Sequence, residues 1–145
     1  MSDEITTASL DATPEQRFIR LRRELGVTSF GLNAIVLAPG ERNRIHTHKR
    51  QEEVYVVLDG TLTLGLQDGE QDFTTGQVVR VPPALRRQLI NRGPATLKLL
   101  ALGGDQAHEH EPRDADAYRD WQDQQPGSPA DVPLPQDLPA SERRS

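Results

Sequence analysis

Residues 40–60 read GERNRIHTHKRQEEVYVVLDG. Five residues separate Gly40 from His46, one separates His46 from His48, four separate His48 from Glu53, and six separate Glu53 from Gly60. Residues at i and i+2 of a β-strand point to the same face, so His46 and His48 present two imidazoles side by side. After a turn at Lys49-Arg50-Gln51 the next strand runs back and brings a carboxylate opposite them. Two imidazoles and one carboxylate form half a coordination sphere for Fe(II), Mn(II), Ni(II) or Zn(II), with positions left for water or substrate. Taken alone, the pair also reads as two surface histidines on a basic hairpin containing Arg42, Arg44, Lys49 and Arg50, and Glu52 competes with Glu53 as the inward carboxylate.

The chain around this stretch has the texture of an antiparallel sandwich or barrel from Val27 to about Leu102. Short β-rich runs are expected near Thr28–Leu37, Arg44–His48, Val54–Leu58, Thr61–Gln67, Gln71–Thr74, Gln77–Val81, Arg87–Asn91 and Thr96–Leu102. Turns at Pro39-Gly40, Asp59-Gly60, Asp68-Gly69, Thr75-Gly76, Pro82-Pro83 and Gly93-Pro94 separate them. The organisation is an N-terminal segment over residues 1–26, a barrel over 27–104, an acidic segment over 105–125 and an extended or disordered tail over 126–145. In the first segment Thr13-Pro14-Glu15-Gln16 has the form of a helix start. Phe18, Leu21 and Leu25 follow at helical spacing, although an edge strand fits Phe18-Ile19 as well. In the acidic segment Tyr118 and Trp121 are spaced for one face of a short helix over Asp114–Trp121.

Length and charge narrow the function classes. At 145 residues there is room for one core. Hydrophobic residues at 34% are few for a compact globule, which is why part of the chain reads as a tail. The tail holds five of the eleven prolines. The net charge of −5 resides between Asp105 and Asp123, where seven acids face two arginines, and the remainder is balanced. No large basic face remains to track a phosphate backbone, so nucleic acid is not an expected partner. There is no cysteine, so any metal is held by nitrogen and oxygen. No run approaches the roughly 20 apolar residues of a membrane helix. The start Met-Ser-Asp-Glu lacks a signal pattern. A soluble cytoplasmic protein without a membrane partner is expected.

The run from Gly40 to Gly60 resembles the first motif of the cupin superfamily position for position. A second cupin motif follows in Gly76, Pro82, Ala84, Arg87 and Asn91, with Gly76, Pro82 and Asn91 in register. The resemblance implies an all-β jelly-roll barrel, selects Glu53 over Glu52, and implies a divalent metal on His46, His48 and Glu53. It further implies a homodimer, formed through the N-terminal segment or an edge strand. Two positions depart from the pattern: Ala84 stands where cupins typically have glycine, and Arg87 where they have a third metal-binding histidine. Arginine has no lone pair to give, so it is no ligand.

Three readings of Arg87 follow. It clamps a carboxylate or phosphate of a ligand at the open side of a two-histidine, one-carboxylate site. It pairs with Glu53 and leaves the barrel metal-free. Or His108 or His110 folds back as a replacement ligand. A solvated edge position is the plain alternative to all three. Arg44 shares the histidine face and is a second candidate for holding an anion; Tyr55, two residues beyond Glu53, offers a hydroxyl. The expected function is binding of a small oxygenated or anionic organic ligand, either in a metal-dependent oxygenase or isomerase or in a metal-free binding or sensor module. A structural or storage protein would instead have a filled, apolar barrel.

Overall fold

The computed structural model describes residues 4–11, 15–104 and 113–145. Ten strands and one short helix occur among them: β1 (Phe18–Ile19), α1 (Leu21–Leu25), β2 (Gly31–Leu37), β3 (Ile45–His48), β4 (Glu53–Asp59), β5 (Thr61–Leu66), β6 (Gly69–Thr74), β7 (Val78–Val81), β8 (Arg87–Ile90), β9 (Leu97–Gly103) and β10 (Ala115–Tyr118). They form two five-stranded antiparallel sheets, ordered β1-β2-β9-β4-β7 and β10-β3-β8-β5-β6. The eight strands expected between Val27 and Leu102 all occur, with ends shifted by at most a few residues.

Alternation along the strands explains why the sheets close on each other. In β9 the buried residues are Leu97, Leu99, Ala101 and Gly103, and the residues between them are partly exposed. This period of two fits one face to the core and one to solvent. Leu37, Val57, Leu62, Leu89, Leu97 and Leu99 meet in that core, each at most 1% exposed. At Gly60 the turn has φ +80°, and a Cβ there would lie 2.7 Å from the backbone oxygen of Thr96. Only glycine meets both conditions.

The N-terminal segment takes the strand reading at Phe18-Ile19, and the acidic segment departs from its expected helix. Phe18-Ile19 is a strand, paired with Ile35 and Ala34 of β2, and the helix begins only at Leu21 and ends at Gly26 in the left-handed conformation. Thr13 and Pro14, the expected cap, lie outside the described residues. The helix expected over Asp114–Trp121 is instead β10, which adds to the free edge of β3 with Ala115 opposite His48 and Tyr118 opposite Ile45. An unpaired edge offers a row of backbone partners, which outweighs weak helical spacing in a four-residue segment. Tyr118 then packs under Arg86, whose guanidinium carbon is 3.7 Å from the ring centre.

Residues 126–145 run without regular strands, apart from a 3-10 turn at Ala140–Glu142. This segment lies on the barrel: Val132 and Leu138 are 1% and 2% exposed. The Leu138 N–H donates to Gly40 O at 2.8 Å, and Arg42 Nε donates to Gln136 O at 2.9 Å.

Candidate metal and ligand site

The sheet register brings the two histidines and the glutamate together from opposite sheets. His46 and His48 lie on β3, with rings 5.5 Å apart and edge-to-face; Glu53 opens β4 after the Lys49–Gln51 turn. The Nε2 atoms of His46 and His48 stand 3.7 and 3.3 Å from Glu53 Oε1. One nitrogen or oxygen from each of the three residues lies within 4.8 Å of the others.

The other ring nitrogens are occupied. His46 Nδ1 is 2.9 Å from Arg44 O, and His48 Nδ1 is 2.9 Å from Asp114 Oδ2. Carbonyl and carboxylate oxygens only accept, so each Nδ1 carries the proton and donates it. Each Nε2 is thereby directed at Glu53.

Glu53 Oε1 is crowded with donors. The Tyr55 hydroxyl donates to it at 2.7 Å, and Arg87 Nη2 donates to the same oxygen. Burial pushes the Glu53 carboxyl up, but the hydrogen bonds and charges of His46 and His48 outweigh it and hold the group well below the usual carboxylate range. Burial also raises Tyr55 far above the usual phenol value, and the Glu53 charge adds to this, so its O–H stays a donor.

Arg87 is fully buried. Its Nη1 donates to Pro83 O and Leu85 O at 3.0 Å each, while Nε has no acceptor among the described residues. The arginine is therefore neither a solvated edge residue nor exposed to a ligand as a clamp: its donors are taken by Glu53 and the loop before β8. Both faces of this strand are covered, since all five residues from Arg87 to Asn91 are buried. Gln88, on the other face, is buried with its side chain donating to Asn43 O at 2.9 Å.

A cavity of about 470 Å³ opens beside the site. His46, His48, Glu53 and Tyr55 line it on one side, Ile35, Leu37 and Leu89 give it apolar walls, and Arg17, Arg20 and Arg44 bring positive charge to it. The Arg44 side chain also donates through Nε to Val132 O of the C-terminal segment. An accessible, mixed-polarity cavity of this size suits a small organic ligand and does not match the filled, apolar barrel of a purely structural protein. His108 and His110 lie outside the described residues. Asp114, within the acidic segment, is a site residue the sequence reading missed. Its proximity to His48 comes from a pairing of β10 with β3 that no local pattern signals.

Two imidazole nitrogens and a carboxylate are donors of the type a divalent ion takes. Ligands about 2.1 Å from a common ion lie roughly 3.0–3.7 Å apart at angles between square and trigonal. The two nitrogen–oxygen separations, 3.3 and 3.7 Å, fall at or within that range. Tyr55 and Arg87 both donate to Oε1, so an ion would be met by the free lone pairs of Oε2 or would displace one of these donors from Oε1.

Comparison with known proteins agrees with the architecture. Residues 34–103 match the family model described as "Cupin domain". Protein SchB of Streptomyces halstedii is 32% identical over 75 residues, which is 52% of this chain and 54% of that protein. The chain spans about half the length of the curated relatives it matches. Among solved structures, a sugar phosphate isomerase from a cupin superfamily of Silicibacter pomeroyi aligns with a TM-score of 0.58 at 26% identity, over 72% of each chain. A cupin protein from Bacteroides fragilis aligns with a TM-score of 0.62 at 20% identity, over 72% of this chain and 86% of that one. The fold is that of the cupins, and the match to the cupin family model spans residues 34–103. No helix among the described residues is long and apolar enough to cross a membrane.

Proposed function

We propose that this cupin holds a divalent metal ion on His46, His48 and Glu53, and beside it a small anionic organic molecule on which it acts as an isomerase or oxygenase. The observation that carries the reading is the convergence of both Nε2 atoms on Glu53 Oε1, with each Nδ1 proton already committed elsewhere. When bound, the ion would polarise a ligand oxygen and stabilise negative charge developing there. The charge balance favours an anion: a dication and Arg87 against the charges of Glu53 and Asp114 leave excess positive charge in a partly buried site. Arg44 adds to that field from the cavity wall. Tyr55 and Arg87 hold the Glu53 carboxylate in one orientation. Isomerisation is favoured by the description of the Silicibacter pomeroyi relative as a sugar phosphate isomerase.

A second reading has its own observation. Arg87 and Tyr55 both donate to the oxygen that faces the histidines, as expected of a self-satisfied polar cluster in a metal-free binding or sensor module. Calorimetric titration separates the two. Protein stripped with chelator and then loaded with Mn(II) or Zn(II) is titrated with inorganic phosphate, glucose 6-phosphate and glucose. The metal-dependent reading predicts that both phosphates bind more tightly to loaded than to stripped protein, and that glucose does not bind. Equal phosphate binding to both forms establishes the metal-free module, and no binding to either overturns both readings. Turnover screens under air and nitrogen separate oxygenase from isomerase.

A further inference from the structure

We infer that Asp114, beyond the cupin domain, is a positioning residue for His48, so that the ligand set within the barrel is completed by the segment docked against it. The two histidines are oriented differently. His46 donates to Arg44 O, two residues away on the same chain run. His48 depends on a carboxylate 66 positions downstream. Residues 34–103 therefore contain all three candidate ligands but not the group that aims one of them.

Asp114 is held for this task. It is 4% exposed, and it immediately precedes β10, whose first residue stands opposite His48. Its Oδ1 accepts the Arg50 N–H at 2.8 Å, and its Oδ2 accepts the Gln51 N–H at 3.3 Å together with the His48 Nδ1 proton at 2.9 Å. The Asp114 carbonyl accepts the Lys49 N–H at 2.8 Å. One residue thus fixes the turn between β3 and β4 and, through it, the relative placement of His48 and Glu53. A carboxylate that accepts the outer ring proton sets the tautomer and raises the basicity of the inner nitrogen. An amide cannot replace it, because one of its two ends would face an N–H with an NH₂ group.

The inference rests on the metal reading only for its consequence in affinity, so the test has two arms. Nitrogen NMR of the His48 ring in metal-free protein locates the ring proton in wild type, Asp114→Asn and the same-strand control Asp116→Asn. Zn(II) affinity is measured for all three against a competing chelator. The expected result is a protonated Nδ1 in wild type and control, loss of that fixed proton in Asp114→Asn, and an affinity lower by about 10–100-fold in that variant alone. An unprotonated Nδ1 in wild type overturns the inference even if Asp114→Asn does not fold. Unchanged ring signals and affinity in Asp114→Asn overturn it as well. A wild type that takes no zinc sinks the metal reading, while the ring proton still decides the role of Asp114.

Discussion

Arg87 on β8 and Glu53 on β4 belong to opposite sheets, and their buried ion pair ties the two halves of the barrel together at the candidate site. Removing one partner of such a pair leaves an uncompensated charge. Arg87→Met strands Glu53 and frees the carbonyls of Pro83 and Leu85, and it is expected to cost about 3–5 kcal/mol. Urea denaturation of the metal-free protein measures this. A loss below about 1 kcal/mol would mean that the pair does not hold the sheets.

Arg87→His tests the electrostatic role of the same position with the residue that the family resemblance places there. It removes a fixed positive charge and adds a nitrogen donor. One unit charge about 4 Å away is worth several kcal/mol at an effective dielectric of about 20, so Zn(II) affinity should rise by more than about tenfold. Competition with a chelator gives the ratio. Unchanged or weaker binding would show that Arg87 does not limit metal affinity.

Tyr55 carries a pH prediction. Its folded-state pKa is raised, so the neutral phenol stabilises the fold fully below the unfolded value of about 10. That contribution is lost progressively as pH climbs above this value toward the folded pKa. Tyr55→Phe removes the dependence together with a hydrogen bond to a carboxylate, at about 1.5–3 kcal/mol near neutral pH. The expected result is a stability gap between wild type and Tyr55→Phe that narrows in alkaline urea melts. A gap that stays constant or widens would place Tyr55 in a different environment.

The legible part of the sequence was local. Gly40 and Gly60 bracket two strands, and the one-residue gap between His46 and His48 puts both rings on one face, facts that need only the period of a strand and a turn; the choice of Glu53 over Glu52 needed the family resemblance. Arg87 was legible as an anomaly, with its pairing to Glu53 as one of three readings, because which face of β8 it occupied depended on packing across the barrel. Ala115–Tyr118 was not legible as a strand. Four residues carry almost no period, and they pair because β3 has a free edge. The same holds for Asp114, whose partner is 66 residues away.

The C-terminal segment supplies a further prediction. Leu138, 2% exposed, should behave as a core residue: Leu138→Ala is expected to destabilise by about 2–5 kcal/mol. Leu134, 44% exposed in the same segment, should cost less than about 1 kcal/mol when changed to alanine. Urea melts of both variants give the comparison. Equal, small effects would mean that the segment is not docked on the barrel.

The most direct test is metal content. Protein purified without a histidine tag or chelator is incubated with Fe(II), Mn(II), Ni(II) and Zn(II) in turn, desalted, and measured by plasma mass spectrometry beside the His46→Ala, His48→Ala double variant. The account predicts near-stoichiometric retention of at least one of these metals in wild type and its loss in the double variant. Wild type that retains none of the four would contradict it and leave the barrel as a metal-free binder of small anions.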